Sequence, residues 1–421
     1  MIYDLIIIGA GAAGLFAGAS LPFPVNGLIL EKKAVPGRKL LMSGAGQCNL
    51  THGGSIKDFI NHYGKNGPRI RSVLYRFNNL SVIDFFESKG IPLINREDDK
   101  VFPKSLKAQD VLNVLVESCK KNGLQFLYST PVDKLTKNES LAKDLDPTSV
   151  LYTVHCNGRF YTAKKLIIAT GGSSYPSTGS DGSFFSVLEE MGISVGPLAP
   201  ALVPVYAAQY PYQELSGISF QNAEVTINSL KNKDALLLTH TCFSGPAVLN
   251  LSRYAHPGDP LVLNFYPVKS EETIQRELSR AMIGNSKQLL TVLYEYFNQG
   301  SKETPAELPK RFLEVTCMRA GIDAAGKASR ITPVQLNLII RLIVHDEYQI
   351  QKLGGFESAM VTAGGVTLSE ISTKTMESIS YPNLFFAGEV LDIDGDTGGY
   401  NLQFAFSSGY LAAHSALIES F

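Results

Sequence analysis

The sequence predicts an α/β protein: a Rossmann-like domain and a β-barrel that carries a small helical subdomain. Three observations predict it. First, a short apolar run, Ile2–Ile8, leads at once into Gly9-Ala10-Gly11-Ala12-Ala13-Gly14, a helix-compatible run to about Ser20, a second apolar run, Gly27–Leu30, and an acid, Glu31. Second, from about Ile193 onward Pro197, Pro200, Pro204 and Pro211 punctuate short β-rich runs such as "AEVTI", "ALLLTHTCF" and "PLVLNFYP", the spacing of a barrel. Third, residues 271–321 read as helix instead, near 271–283, 286–298 and 306–320, before β character returns at 344–351.

The first element carries chemistry. Gly9 permits a tight turn, Gly11 lets backbone approach a pyrophosphate, and Gly14 allows close helix–strand packing. Ala12 and Ala13 open the helix, whose free N–H groups and positive dipole end favour phosphate. Glu31 lies 17 residues after Gly14, at the end of the next strand, where a carboxylate accepts ribose hydroxyls. A lone glycine pattern is weak, but strand, glycines, helix, strand and acid in this order point to a dinucleotide, either FAD or NAD. The stretch "KKAVPGRKLLMSGAGQCNLT" (32–51) separates the two. Arg38 and Lys39 bring positive charge to the pyrophosphate, and Ser43, Gly44 and Gly46 make a second permissive loop where backbone can pass a flat ring. Lys32 and Asn49 count with them as cofactor contacts. A long ligand lying extended across the sheet needs such a loop; a plain NAD dehydrogenase does not.

Further along, 105–123 reads as a helix and 124–127 as a strand, and Asn157-Gly158 marks a hairpin. Residues 165–170 form a buried-type strand that ends in Gly171-Gly172. Near the C-terminus, "GEVLDIDGDTGGYNLQFAFSSG" (388–409) places Asp392, Asp394 and Asp396 in a glycine-rich loop before a helix. A calcium loop fails there: Thr397 stands at the sharp-turn position and Gln403 at the bidentate one. No metal is expected. "GIDAAGKA" (321–328) misses a phosphate-binding loop at Ala328, and no G-x-S-x-G or H-E-x-x-H occurs, so hydrolase readings fall away.

Composition bounds the rest. The 421 residues are 44% hydrophobic and 18% charged with a net charge of −1, so a small-molecule substrate is expected and neither nucleic acid nor membrane is expected as a partner. Five scattered cysteines without a C-x-x-C pair and an N-terminus without a signal-peptide pattern lead us to expect a cytoplasmic protein.

"GAGAAGL", "PGRKLLMSGAGQCNLT", "ATGGSSYPSTGS", "THTCFSGPAVLNLSR", "VTAGGV" and "LFFAGEVLDIDGDTGGYNLQFAFSSGY" together resemble the BaiN/YhiN-like (HI0933-like) family of bacterial NAD(P)/FAD-dependent oxidoreductases. The likeness runs in order from residue 1 to about 415. It implies a glutathione-reductase-type FAD-binding domain formed by 1–192 and 353–421, a barrel formed by 193–270 and 326–352, and a helical subdomain at 271–325. The C-terminal loop would then close over FAD. The resemblance puts Gly388, Glu389 and Asp396 by the ribityl chain or pyrophosphate, and Gly399, Tyr400, Asn401 and Leu402 at the flavin edge. Val132 becomes an adenine contact, and Thr170, Gly171 and Gly172 pack the returning chain against the cofactor. Two positions depart from the family pattern: Gln47 stands where Arg is usual, and His52 where Asn is usual. The first removes a cation; the second adds a candidate proton donor.

The activity implied is hydride transfer through FAD, from NAD(P)H to a small unsaturated or enone substrate, with a steroid-like ring suggested by the family. No second glycine pattern marks a separate NAD(P)H domain, so NAD(P)H is expected as a transient donor. Reducing an alkene also needs a proton donor. His52, Tyr175, His240 and Tyr400 are the candidates, with His240 and Tyr400 favoured. Two other readings stay open: a flavoenzyme that acts on or with RNA, and a non-catalytic flavin sensor.

Overall fold

β1 (Ile2–Ile8) and β2 (Gly27–Leu30) read as apolar runs because they lie inside a parallel sheet: Leu5 to Ile8 and all of β2 are buried. The structure, a computed structural model, describes residues 1–138, 151–298 and 307–418. The chain forms two units, Met1–Ala201 with Phe356–Phe421, and Leu202–Gly355. The seams fall at 201/202 and 355/356, against 192/193 and 352/353 expected.

In the first unit the sheet runs Leu124–Leu127, β2, β1, Arg159–Ile168, Leu151–Cys156, Lys134–Asn138, and Leu384–Phe386 also pairs with Arg159–Ile168. The hairpin at Asn157-Gly158 is present, with both residues at positive φ, 47° and 78°. The buried strand expected at 165–170 is not separate from it. Arg159–Ile168 is one strand whose first half pairs antiparallel with Leu151–Cys156 and whose second half pairs parallel with β1.

α1 (Ala12–Ala19) follows β1 directly and packs against the C-terminal helix Tyr400–Leu417. The approach depends on Gly409, where a Cβ would stand 2.7 Å from the Ala13 carbonyl oxygen. Phe16 anchors the contact, with ring centroids 4.7 Å from Phe406 and 5.4 Å from Phe77. Val195–Ala201 pairs antiparallel with Val361–Val366, so these two strands belong to the first unit.

The second unit contains a closed six-stranded barrel: Val205–Ala207, Phe243–Ser244, Leu230–Leu238, Ser219–Ile227, Pro260–Asn264 and Asp346–Leu353 in spatial order. Helices Glu271–Met282, Leu289–Asn298 and Lys310–Arg319 lie where helical periodicity placed them, although position 306 is outside the described residues. A further helix, Pro333–Val344, occupies part of the stretch read as barrel. Its start is fixed by a capping box between Thr332 and Gln335, with Pro333 in the first turn. Arg319 grips the buried Asp346 carboxylate with both Nη atoms, at 2.8 and 2.9 Å, while Tyr212 and Tyr348 donate their hydroxyls to it.

All five cysteines are free and buried. Among the described residues, no helix is long and apolar enough to cross a membrane.

Candidate functional site

The three glycines of the first turn do different things. Gly9 takes φ 103°, and a Cβ there would stand 2.4 Å from the Ala169 carbonyl oxygen. A Cβ on Gly14 would stand 2.0 Å from the Gly9 carbonyl oxygen. Both are therefore glycine for packing. Gly11 has ordinary extended backbone (φ −82°, ψ −172°) and nothing within 4 Å of a would-be Cβ. The fold does not need glycine at 11; the open space in front of the α1 N-terminus, where Ala12 and Ala13 sit, does not either unless something fills it.

Glu31 closes this turn. Its carboxylate accepts the Ala10 amide at 2.9 Å and the Lys33 amide at 2.8 Å, which leaves lone pairs for two further donors. Val132 follows Thr130, whose amide donates to the Glu31 carbonyl at 2.9 Å, so the segment named for adenine lies beside the segment named for ribose.

The second loop is tied to the first by the Gly37 amide, 2.8 Å from the Ala10 carbonyl. It holds an unusual run of left-handed backbone: Gly44 and Ala45 at φ 56°, Gly46 at 85° and Cys48 at 63°. For Ala45 and Cys48 this conformation costs roughly 1–2 kcal/mol each, strain that the surrounding fold must hold in place. Burial pushes the Cys48 thiol up to about 12, so it is an inert packing group. Ser43 donates to the Leu40 carbonyl at 2.7 Å.

Lys32, Arg38 and Lys39 part ways. Lys39 donates to Glu389 and to Ser174, each at 2.6 Å; Ser174 donates to Glu389 at 2.7 Å, and the Thr362 amide donates to it at 2.8 Å. Glu389 thus joins three segments far apart in sequence. Lys32 pairs with Asp181 at 2.5 Å. Burial alone would raise the Asp181 carboxyl, but the bonds from Lys32 and Ser183 outweigh it and hold it below its usual value. Arg38 is exposed at the start of its helix.

Three buried polar side-chain atoms without a hydrogen-bond partner among the described residues belong to segments named as cofactor contacts or touching one: Asn49 Oδ1, Thr170 Oγ1 and Ser180 Oγ. Ser180 lies against Gly171, where a Cβ would come within 2.9 Å of its hydroxyl, and Gly171 itself takes φ 76°. An unsatisfied buried polar atom costs roughly 1–3 kcal/mol, so three together mark a place for missing donors and acceptors. Gly172 packs on Thr362, and Gly388 (φ 74°) packs on Ala13. These residues fit a long polar cofactor such as FAD.

The C-terminal loop shows what its acids do. Asp392 accepts from the Asn66 side chain at 3.2 Å and the Gly364 amide at 3.1 Å; Asp396 accepts His62 Nδ1 at 2.9 Å. Among the described residues, no group of three or more metal-ligating side chains forms. Asn401 clasps the loop by bonding both the amide and the carbonyl of Gly395. Gly399 at φ 101° starts the last helix, where a Cβ would meet the Thr51 carbonyl at 2.6 Å, and Leu402 lies in the first turn.

Tyr400 is buried between two imidazoles. His62 stacks on it with centroids 4.0 Å apart, and His52 stacks on it at 5.2 Å. Its carbonyl accepts the Tyr63 hydroxyl at 2.8 Å. Because a carboxylate only accepts, Asp396 fixes the Nδ1–H tautomer of His62 and leaves Nε2 to exchange a proton. Sequence reasoning missed His62: it lies in a polar run with no motif, 334 residues from Asp396. His240 belongs to the second unit, exposed just after Leu230–Leu238.

Residues 3–415 match the HI0933-like protein Rossmann domain family. The chain belongs to this family. It is a family of flavin-dependent oxidoreductases, as the resemblance implied. The ribosomal RNA dihydrouridine synthase of Escherichia coli (strain K12) is 32% identical over 426 residues, spanning 99% of this chain and 98% of its own. The protein of the same name from Haemophilus influenzae (strain ATCC 51907 / DSM 11121 / KW20 / Rd) is 33% identical, spanning 97% of each chain. The 3-dehydro-bile acid delta(4,6)-reductase of Clostridium scindens (strain ATCC 35704 / DSM 5676 / VPI 13733 / 19) is 28% identical, spanning 97% of this chain and 98% of its own. Among solved structures, the 3-ketosteroid-delta4-(5alpha)-dehydrogenase of Rhodococcus jostii RHA1 shares the fold, with a TM-score of 0.50 at 15% identity over 98% of this chain and 96% of that one.

These relatives correct one expectation. The near-neutral charge gave no reason to expect a nucleic-acid partner, yet two full-length relatives are named for action on ribosomal RNA. Net charge is a sum over the whole surface and is blind to where the charges lie.

Proposed function

We propose that this protein is an FAD-dependent reductase of a carbon–carbon double bond conjugated to a carbonyl, and that its substrate is a uridine in ribosomal RNA. The observation that carries the reading is the likeness, at 32% and 33% identity along nearly the whole chain, to two ribosomal RNA dihydrouridine synthases. The bile-acid relative supports the same reaction class. The uracil C5=C6 bond is conjugated to the C4 carbonyl, just as a steroid Δ4 bond is conjugated to a 3-oxo group. Each gains a hydride at the β-carbon and a proton at the α-carbon. For uridine the balance is uridine, NAD(P)H and a proton giving dihydrouridine and NAD(P)⁺, with NAD(P)H as a transient donor.

FAD, when bound, supplies the two-electron chemistry. In our reading the chain holds it with the Gly9–Gly14 turn and the α1 N-terminus at the pyrophosphate, Glu31 at the ribose and Val132 at the adenine. Ser43, Gly44, Asn49 and Thr170 to Gly172 line the remainder, and the helix beginning at Tyr400 turns its positive end toward developing negative charge. We assign proton delivery to Tyr400 with the His62–Asp396 pair. His240 is the alternative donor, to be tested beside it. A base inside folded RNA must leave its stack to be reduced, and unstacking costs a few kcal/mol.

The test is mass-spectrometric counting of dihydrouridine in ribosomal RNA taken from a strain lacking this gene, after incubation with the holoprotein and NADH or NADPH. A new dihydrouridine that depends on protein and nicotinamide is expected; Tyr400→Phe or His62→Gln slows its appearance at least about a hundredfold, the low end for a general acid. RNA that stays unmodified while a 3-oxo-Δ4 steroid is reduced would contradict the assigned substrate.

A further inference from the structure

We infer that the exposed face of residues 65–76 is the surface that grips the RNA backbone. This inference rests on the RNA reading above. Residues 56–80 contain five Lys and Arg and a single acid, Asp58, in a chain that otherwise balances 38 cations against 39 anions. The stretch folds as a 3-10 segment, Ile60–Ile70, running into a helix, Arg71–Arg76. Ile70, Val73, Leu74 and Phe77 point into the core, which leaves Lys65, Arg69, Arg71 and Arg76 on the outer face.

Several other cations of this unit are matched locally: Lys100 pairs with Asp98, Lys120 with Glu117 and Lys164 with Asp4. Among the described residues, no carboxylate pairs with Lys65, Arg69 or Arg71. Exposed Tyr75 stands among them with the Arg71 guanidinium 5.2 Å from its ring centroid. Cations that follow a backbone beside an aromatic face on which a base can stack are the two ingredients of single-strand recognition. The segment is also fixed to the C-terminal loop. Asn66 donates to the Asp392 carbonyl at 2.7 Å and His62 bonds Asp396, while Ser72 ties the segment separately to the Thr373 carbonyl at 3.0 Å. RNA held on this face is therefore held at the same loop that carries Tyr400.

The experiment compares RNA binding by holoprotein with Lys65, Arg69 and Arg71 all changed to Gln against wild type, across a salt series. The probe is ribosomal RNA from the deletion strain, and the flavin spectrum reports folding. Each lost phosphate contact removes about 0.7 from the slope of log K against log salt for single strands, so the slope should become shallower by about 2. Affinity should fall at least about tenfold at moderate salt. Neutralising Lys120, Lys164 and Lys231, each already paired, should leave the slope unchanged. Wild-type slope in the first variant, or equal loss in the second, overturns the assignment of this face while the RNA reading stands. A wild-type protein with no salt-dependent RNA binding overturns both.

Discussion

Gly11 is the residue at which fold and ligand requirements separate. Gly9 and Gly14 are glycine because neighbouring backbone occupies the place of a side chain, whereas Gly11 faces nothing within 4 Å. Gly11→Ala should therefore fold, losing at most about 1 kcal/mol as a poorer helix cap. It should lose at least about tenfold in FAD affinity, ~1.4 kcal/mol, because the methyl would enter the open space to which the proposed reading assigns the pyrophosphate. Gly14→Ala should fail to fold. Thermal melting without FAD and an FAD titration of each variant separate the two effects. These glycines, Glu31 and the second loop were legible in sequence because each lies within a local motif whose spacing reports its geometry. The pairing of His62 with Asp396 was not, since it is made by tertiary contact between segments that carry no shared pattern. Nor was the role of Glu389, whose carboxylate is gathered from Lys39, Ser174 and Thr362 only once the sheet has formed.

The C-terminal helix is the element on which the first unit closes. Gln403, fully buried in it, accepts the Thr51 hydroxyl at 2.5 Å and donates to the Phe77 carbonyl at 3.1 Å, so the helix is registered against two earlier segments. At its other end His414 bonds the Ser20 carbonyl at 3.0 Å and stacks on Tyr410. Burial disfavours the imidazolium and lowers the His414 pKa below 6.5, with the Ser20 carbonyl opposing in part. The sign follows: below the unfolded value the unfolded chain binds a proton that the folded chain resists. The stability His414 contributes is present above pH 6.5 and is lost as pH falls through its lowered value. Melting temperature measured against pH should drop on the acid side, and His414→Gln should flatten that drop. An unchanged profile would remove His414 from the account. The helix itself was expected from its apolar run. Pro333–Val344 fell inside the 326–352 stretch assigned to the barrel although β character was read only from 344, and Thr332-Pro333 and Gln335 carry a helix-start signature.

At the scale of the whole molecule, composition was the weakest guide. A net charge of −1 conceals a stretch, 56–80, in which five cations meet one acid, and fold-level likeness to a ketosteroid enzyme says nothing about substrate. Alternation and proline spacing showed that 193–270 was β-rich, but strand order depends on which edges meet. The barrel closes between Val205–Ala207 and Asp346–Leu353, elements separated by the helical stretch. What unites the two units' sequence with a function is the claim that a bound flavin passes electrons to uridine. The most direct test is an anaerobic spectral titration of the purified protein: record the flavin bands, add NADH or NADPH, then add ribosomal RNA from the deletion strain. The account predicts flavin bands that bleach with one nicotinamide and return with the RNA. A protein that binds no flavin even in excess FAD, or a bleached flavin that the RNA leaves reduced, would contradict it.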